Sequence, residues 1–223
     1  MERELPAAVK CKSILRLAMP HSLPTGCKNR EALLNRNDAL VVPGWRATHP
    51  SPAIMEATMG TLAQFKKTAL IADMVDTRTK ILDAAQKVPP PLRTEVFLGT
   101  WSLLDLLAHL AGWDDANRQA VDAVRAGQLP AFYEYAEPGW HSFNVKLVAE
   151  YRLDDLDALV ERLRGTQLRL VDLLEAVPAE DFDRDYQVRF RRYKVTLSRL
   201  LRAEVKDEKE HLAQIRQIAN LTR

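Results

Sequence analysis

From about residue 61 onward, the sequence predicts an all-α fold, an antiparallel four-helix bundle. Three observations predict it. Apolar residues recur at spacings of three and four over four long stretches, and prolines or caps bound those stretches. No run alternates apolar and polar residues as a half-buried strand would.

The 223-residue chain is 47% hydrophobic, long enough for one sizeable core and an appendage. Residues 1–54 are that appendage. Pro6, Pro20, Pro24, Pro43, Pro50 and Pro52 cut them into short pieces with no sustained period, so they are expected to be disordered or loosely packed.

The first helix is read over Thr61–Val88, with Leu62, Phe65, Ala69, Ala72, Val75, Leu82 and Ala85 as its apolar stripe. Pro89, Pro90 and Pro91 cannot continue the hydrogen-bond ladder and end it. The second helix starts at Ser102, whose hydroxyl can accept a first-turn N–H while Asp105 answers the Ser102 N–H, a capping box. Leu103, Leu106, Leu107, Leu110, Trp113, Ala116, Ala120 and Val124 face inward. Gly127 and Pro130 end the helix and open a long aromatic connection, long enough for an irregular cover or a crossover.

The third helix runs from about Asp154 to Val177, preceded by a turn or two over residues 144–151. The fourth follows Thr196, its cap, and continues to about Leu221. Four helices that each bury one face most simply pack as a bundle.

Charge narrows the function. Lys and Arg number 32 against 30 Asp and Glu. The first 54 residues hold eight basic and four acidic groups, which leaves a body of 24 against 26, close to neutral. Such a body lacks the broad positive field that phosphate contacts require, so no nucleic-acid partner is expected. No apolar run reaches the ~20 residues of a membrane span, and no membrane partner is expected either. Cys11 and Cys27 both lie outside the bundle, which suits a reducing, cytoplasmic setting.

The fourth helix changes chemistry midway. Leu197, Leu200 and Leu201 lead into Glu204, Asp207, Glu208 and His211, after which Ile215 and Ile218 resume the apolar face. Carboxylates on a core-facing stripe are costly unless paired or coordinated. On the second helix His109 lies between Leu106 and Trp113, also facing inward. Two imidazoles and the Asp207 carboxylate form a reasonable open site for zinc, nickel, iron or manganese. Glu208 or Glu204 would then support a ligand or accept a proton. The residues alone leave two other readings open. One is a metal-free pocket, and the other is a structural His109–Asp207 bond with the carboxylates facing Lys206 and Lys209 on the surface.

The stretch 101–113, with Trp101, Ser102, Asp105, His109 and Trp113, resembles the second-helix signature of DinB-like proteins. Residues 210–215, beginning Glu210-His211, resemble the matching fourth-helix signature. The turn 127–130, the 140–144 segment and the helix opening at 153–156 are similar to the ClbS/DfsB-like branch. The resemblance covers residues 61–223. It implies a divalent metal on one histidine of the second helix and two of the fourth. His109 and His211 match the outer positions, and Asp207 stands where the family has its middle histidine.

The resemblance also implies a small-molecule ligand. Relatives include thiol transferases and a hydrolase that opens a reactive cyclopropane, so an electrophile meeting a nucleophile in a bundle pocket is the shared theme. On that reading Glu208 is the catalytic proton acceptor, and Trp113, Trp140, Phe143 and Asn144 line the pocket. The competing expectation is a non-catalytic, stress-related helical module, a homodimer.

Overall fold

The computed structural model describes residues 52–136 and 140–220, with side chains described from Met59. The extension expected over residues 1–54 lies almost wholly outside the described residues. Five α-helices account for most of the fold: α1 (Pro52–Gln86), α2 (Leu103–Arg125), α3 (His141–Tyr151), α4 (Leu156–Ala176) and α5 (Leu197–Asn220). The long helices α1, α2, α4 and α5 form the bundle, and the short α3 packs across α2.

The expected caps are present. Ser102 Oγ accepts from Asp105 N at 3.3 Å, and Ser102 N donates to Asp105 Oδ2 at 2.9 Å. Asp155 caps α4 by accepting from Ala158 N at 2.7 Å, and Thr196 Oγ1 accepts from Arg199 N at the head of α5. The far end of α4 is closed by a lysine. Lys67 reaches from α1 with a buried stem, and its Nζ donates to Glu175 O at 2.7 Å and Val177 O at 2.8 Å. A cation there satisfies the last carbonyls and opposes the negative end of the helix dipole.

Cross-helix pairs fix the directions. Leu70 and Met74 of α1 share one core cluster with Leu200 and Val205, while Ile81 and Ala85 share the other with Ile215 and Ile218, so α5 runs the same way as α1. Asp105 meets Arg152 just ahead of α4 and Asp114 meets Thr166, so α2 and α4 also run together. The two pairs are antiparallel to each other, because Lys67 and Met74 of α1 meet residues 175–177 and Gln167 of α4. The connection between α2 and α4 is therefore a crossover, filled by a 3-10 turn (Ala131–Tyr135) and α3. Gly112 permits the close crossing of α3 over α2. A Cβ there would stand 2.8 Å from Leu147 Cβ.

Three features depart from the expected elements. Helix α1 begins at Pro52, nine residues before Thr61. Its apolar stripe is also rotated. Leu62, Phe65 and Val75 are exposed, as are Ala69 and Ala72, whereas Lys67, Leu70, Ile71, Met74, Thr77, Arg78 and Ile81 are buried. The polar members of the true stripe hid it from a hydrophobic pattern. The third is a small hairpin, β1 (Arg189–Phe190) and β2 (Tyr193–Lys194), between α4 and α5. Arg191 occupies its turn at φ 55°, and Asp185 pins its base through Arg189 and Lys194.

Candidate metal centre

Each long helix carries a polar residue at a core position of its own period. In α1 the buried series 71, 74, 78, 81 and 85 alternates steps of three and four, and its middle member is Arg78. In α2 the series 107, 110, 114, 117, 121 and 124 contains Asp114 and Asn117. Thr166 interrupts α4, while Glu204, Glu208 and His211 interrupt α5. These positions meet in the middle of the bundle and separate two apolar clusters above and below.

His109, Asp207 and His211 converge as the sequence suggested. One donor atom from each lies within 4.8 Å of the others, and all three residues are buried. The imidazole centroids stand 5.4 Å apart with planes at 83°. Gln214 Oε1 lies 2.7 Å from His211 Nδ1. An amide oxygen only accepts, so Nδ1 carries the proton and Nε2 is left facing Asp207. Nε2 approaches Asp207 Oδ2 to 3.0 Å and, with the proton on Nδ1, faces it as a lone pair. His109 has no partner on either ring nitrogen.

Buried polar atoms without partners are rare and costly. Here the unpartnered nitrogens and one carboxylate face a common volume. A divalent ion with bonds of about 2.0–2.2 Å would satisfy all three after small side-chain shifts. The protonation tendencies agree. Burial, reinforced by the neighbouring His211, pushes the His109 pKa well below the ordinary imidazole value and leaves a lone pair for a ligand. Burial pulls His211 the same way, but Asp207 and Gln214, helped by Glu208, outweigh it and raise that pKa. Asp207 thus draws positive charge, as a proton or as a metal ion. The cluster is compatible with binding a divalent metal.

Directly beside it lies a second polar layer. Arg78 grips Asp114 with two parallel bonds, Nη1–Oδ2 at 2.8 Å and Nη2–Oδ1 at 3.0 Å, and Nη2 also donates to Glu208 Oε1. Thr166 Oγ1 donates to Asp114 Oδ2 at 2.7 Å. One guanidinium therefore ties α1 to α2 and α5, and Asp114 extends the tie to α4. Glu208 Oε2 and Glu204 Oε1 remain unpartnered. Burial, then the charges of Glu208 and Asp207, raise the Glu204 pKa well above the carboxylate range. Burial also raises Glu208, against the opposing pull of Arg78. The readings that put Glu204, Asp207 and Glu208 on solvent fail, because packing buries all three.

The aromatic residues fall into two groups. Trp113 is buried 6.3 Å from His109, centroid to centroid, and its Nε1 donates to Asn144 Oδ1 at 3.1 Å. Trp140 and Phe143 pack edge-on against Trp113 rather than against the histidines. Trp101, which had no pocket role in the sequence reading, lies closest to His109 at 4.7 Å and is half-buried. Arg78, Asp114 and Thr166 were missed as well. Their signal was a polar residue at a heptad core position, and in α1 the misphased stripe concealed it.

Comparisons with known proteins agree with this fold. The computed structure is similar to a crystal structure of an uncharacterised protein from Escherichia coli UTI89, with 18% identity and a TM-score of 0.56. That match covers 70% of this chain and 94% of the other. It is also similar to the colibactin self-resistance protein ClbS solved in complex with a dsDNA, with 19% identity, a TM-score of 0.54, and coverage of 68% and 94%. At these identities the likeness shows a shared fold. No curated protein sequence matches. The ClbS complex overturns the expectation of no nucleic-acid partner, because a bundle of this fold is seen with duplex DNA. Net charge alone does not exclude such a partner. A near-neutral total averages over faces of opposite sign, whereas phosphates meet one face at a time. No described helix is long and apolar enough to cross a membrane. The family model of the DinB superfamily matches residues 68–215, well over half of the sequence, and this chain belongs to that superfamily.

Proposed function

We propose that this protein binds a divalent metal through His109, Asp207 and His211 and acts on a reactive, electrophilic small molecule, as a hydrolase or a thiol transferase. The convergence of three buried donors, with the facing nitrogens of both histidines left without hydrogen-bond partners, carries this reading. A bound divalent ion supplies Lewis acidity, which polarises a substrate and favours the ionised form of a nucleophile.

The chain's own residues would do the rest. Gln214 fixes the His211 ring, the kind of outer support that orients a ligand. Arg78 immobilises one oxygen of Glu208 and leaves the other available, which suits Glu208 as the proton acceptor. Trp101 and Trp113 form the apolar walls beside His109, while Trp140, Phe143 and Asn144 brace Trp113 from behind. Asp207 is the least buried of the three ligands and marks the side from which a small molecule would enter.

A metal-free alternative draws on the same pair. A protonated His211 beside Asp207 would be a buried ion pair in a non-catalytic, homodimeric binding module. Metal analysis of protein purified without an affinity tag separates the two. One divalent ion per chain, lost in His109→Ala and His211→Ala, is expected. Metal-free protein that also takes up no zinc in calorimetry would leave the non-catalytic reading standing.

A further inference from the structure

Helix α5 separates its charges by sign. Its carboxylates Glu204, Asp207 and Glu208 point into the bundle, and its basic side chains point out. Arg199, Arg202, Lys206, Lys209 and Arg216 are all exposed, at steps of three, four, three and seven, so they form one stripe. At about 1.5 Å per residue the stripe is ~26 Å long. The hairpin extends it, because Arg199 Nη1 donates to Lys194 O at 3.0 Å, and Arg191 and Arg192 form the hairpin turn. From residue 186 to 220, nine exposed Lys and Arg side chains face a single exposed carboxylate, Glu210. Ion pairs engage Lys209 with Asp73 at 2.7 Å, Lys206 with Glu210 at 4.0 Å, and Arg189 and Lys194 with Asp185 at 2.7 and 2.9 Å.

We propose that the outer face of α5 and the adjoining hairpin bind the phosphate backbone of double-stranded nucleic acid. Six of the nine groups on this ridge are arginines, and a guanidinium fork matches phosphate oxygens. The ridge is a convex rod, comparable in length with most of one duplex turn of about 34 Å. A single strand would need aromatic platforms, and Tyr186, Phe190 and Tyr193 are half-buried instead, with the Phe190 ring packed at a tilt against Tyr133. A membrane surface would need an apolar wedge among the charges. The large exposed hydrophobic residues all lie outside 186–220. Contact is with backbone and not with base edges, so binding should be indifferent to sequence and steep in salt.

The test uses the full chain and a fluorescein-labelled duplex of about 20 base pairs with random sequence. Anisotropy should give a Kd between about 10⁻⁶ and 10⁻⁴ M that weakens as salt rises. The triple variant Arg192→Glu, Arg202→Glu, Lys206→Glu should lose at least about tenfold in affinity, with a salt slope reduced by about 1 per lost phosphate contact. A control triple, Lys66→Glu, Lys146→Glu, Arg164→Glu, removes the same charge from other exposed positions and should retain binding above that of the first triple. Both triples should keep the parent's metal uptake and melting temperature, and the milder Arg202→Gln, Lys206→Gln pair repeats the measurement if charge reversal disturbs folding. The proposal is overturned if the parent does not bind, if both triples weaken binding equally, or if the parent prefers phosphatidylserine vesicles to the duplex. None of these outcomes bears on the metal reading.

Discussion

His211 Nε2 and Asp207 Oδ2 lie 3.0 Å apart, one turn along the same helix, with the ring proton on the opposite nitrogen. The other ring nitrogen is committed to Gln214 at 2.7 Å, so this pair faces His109 as two open donors. A hydrogen bond would have consumed both. With no proton between them, a third party is left to satisfy them.

Asp207 should therefore behave as a ligand. In calorimetry on metal-stripped protein, Asp207→Ala is expected to weaken zinc binding by more than the 10- to 100-fold that supporting residues typically cost. Asp207→His supplies a third imidazole and should preserve or strengthen zinc affinity. Gln214→Leu removes only the support for His211, and a loss of about 10- to 100-fold is expected. Unchanged affinity in Asp207→Ala would remove the carboxylate from the site.

Arg78 is fully buried with two carboxylates on it, and truncation strands both. Arg78→Ala should cost about 3–5 kcal/mol in urea unfolding, the range for breaking a buried ion pair from one side. Arg78→Met with Asp114→Leu and Glu208→Leu removes every charge in the tie and should recover much of that loss. Recovery would identify the layer as a determinant of helix register and site geometry more than of stability.

Glu204 sets a pH dependence whose sign follows from burial. Its folded-state pKa is raised, by desolvation first and by Glu208 and Asp207 next. The folded protein therefore holds a proton that the unfolded chain releases near pH 4.5, so this stabilisation is complete below that pH and is lost as pH rises through the folded value. In metal-stripped protein, Glu204→Gln keeps the group neutral at every pH. It should be more stable than the parent in the alkaline range and lose less stability between pH 5 and about 9. Parallel curves would show that Glu204 is ionised in the folded state.

Gly112 and Leu147 offer a packing test remote from charge. Gly112→Ala places a methyl group 2.8 Å from Leu147 Cβ, and overpacking of this kind costs about 1–3 kcal/mol. Adding Leu147→Ala should make the double variant less destabilised than the sum of the two single changes, by about 1 kcal/mol. Strict additivity in a double-mutant cycle would mean that α3 does not press on α2 at this point.

Much of this protein could be read from its residues in order. Ser102 and Asp105 announced the start of α2, three prolines ended α1, and the polar run in α5 exposed Asp207 and His211 as residues out of place in an apolar stripe. These are local statements, because capping, chain termination and helical periodicity depend on neighbours within a few positions. The first helix shows where that logic stops. Phe65 and Val75 followed an apolar period yet lie on solvent, while Lys67 and Arg78 are buried, because partners on other helices satisfy their charge. Whether a cation can be buried depends on which carbonyl or carboxylate meets it, and those lie 36 to 130 positions away along the chain. The same reason governs the rest. The sequence by itself determined the helices, their caps and the presence of inward-facing ligands. Only the packing of four helices decided that His109 meets Asp207 and His211, that Arg78 joins three helices beside them, and that the bases of α5 are gathered on one outer face.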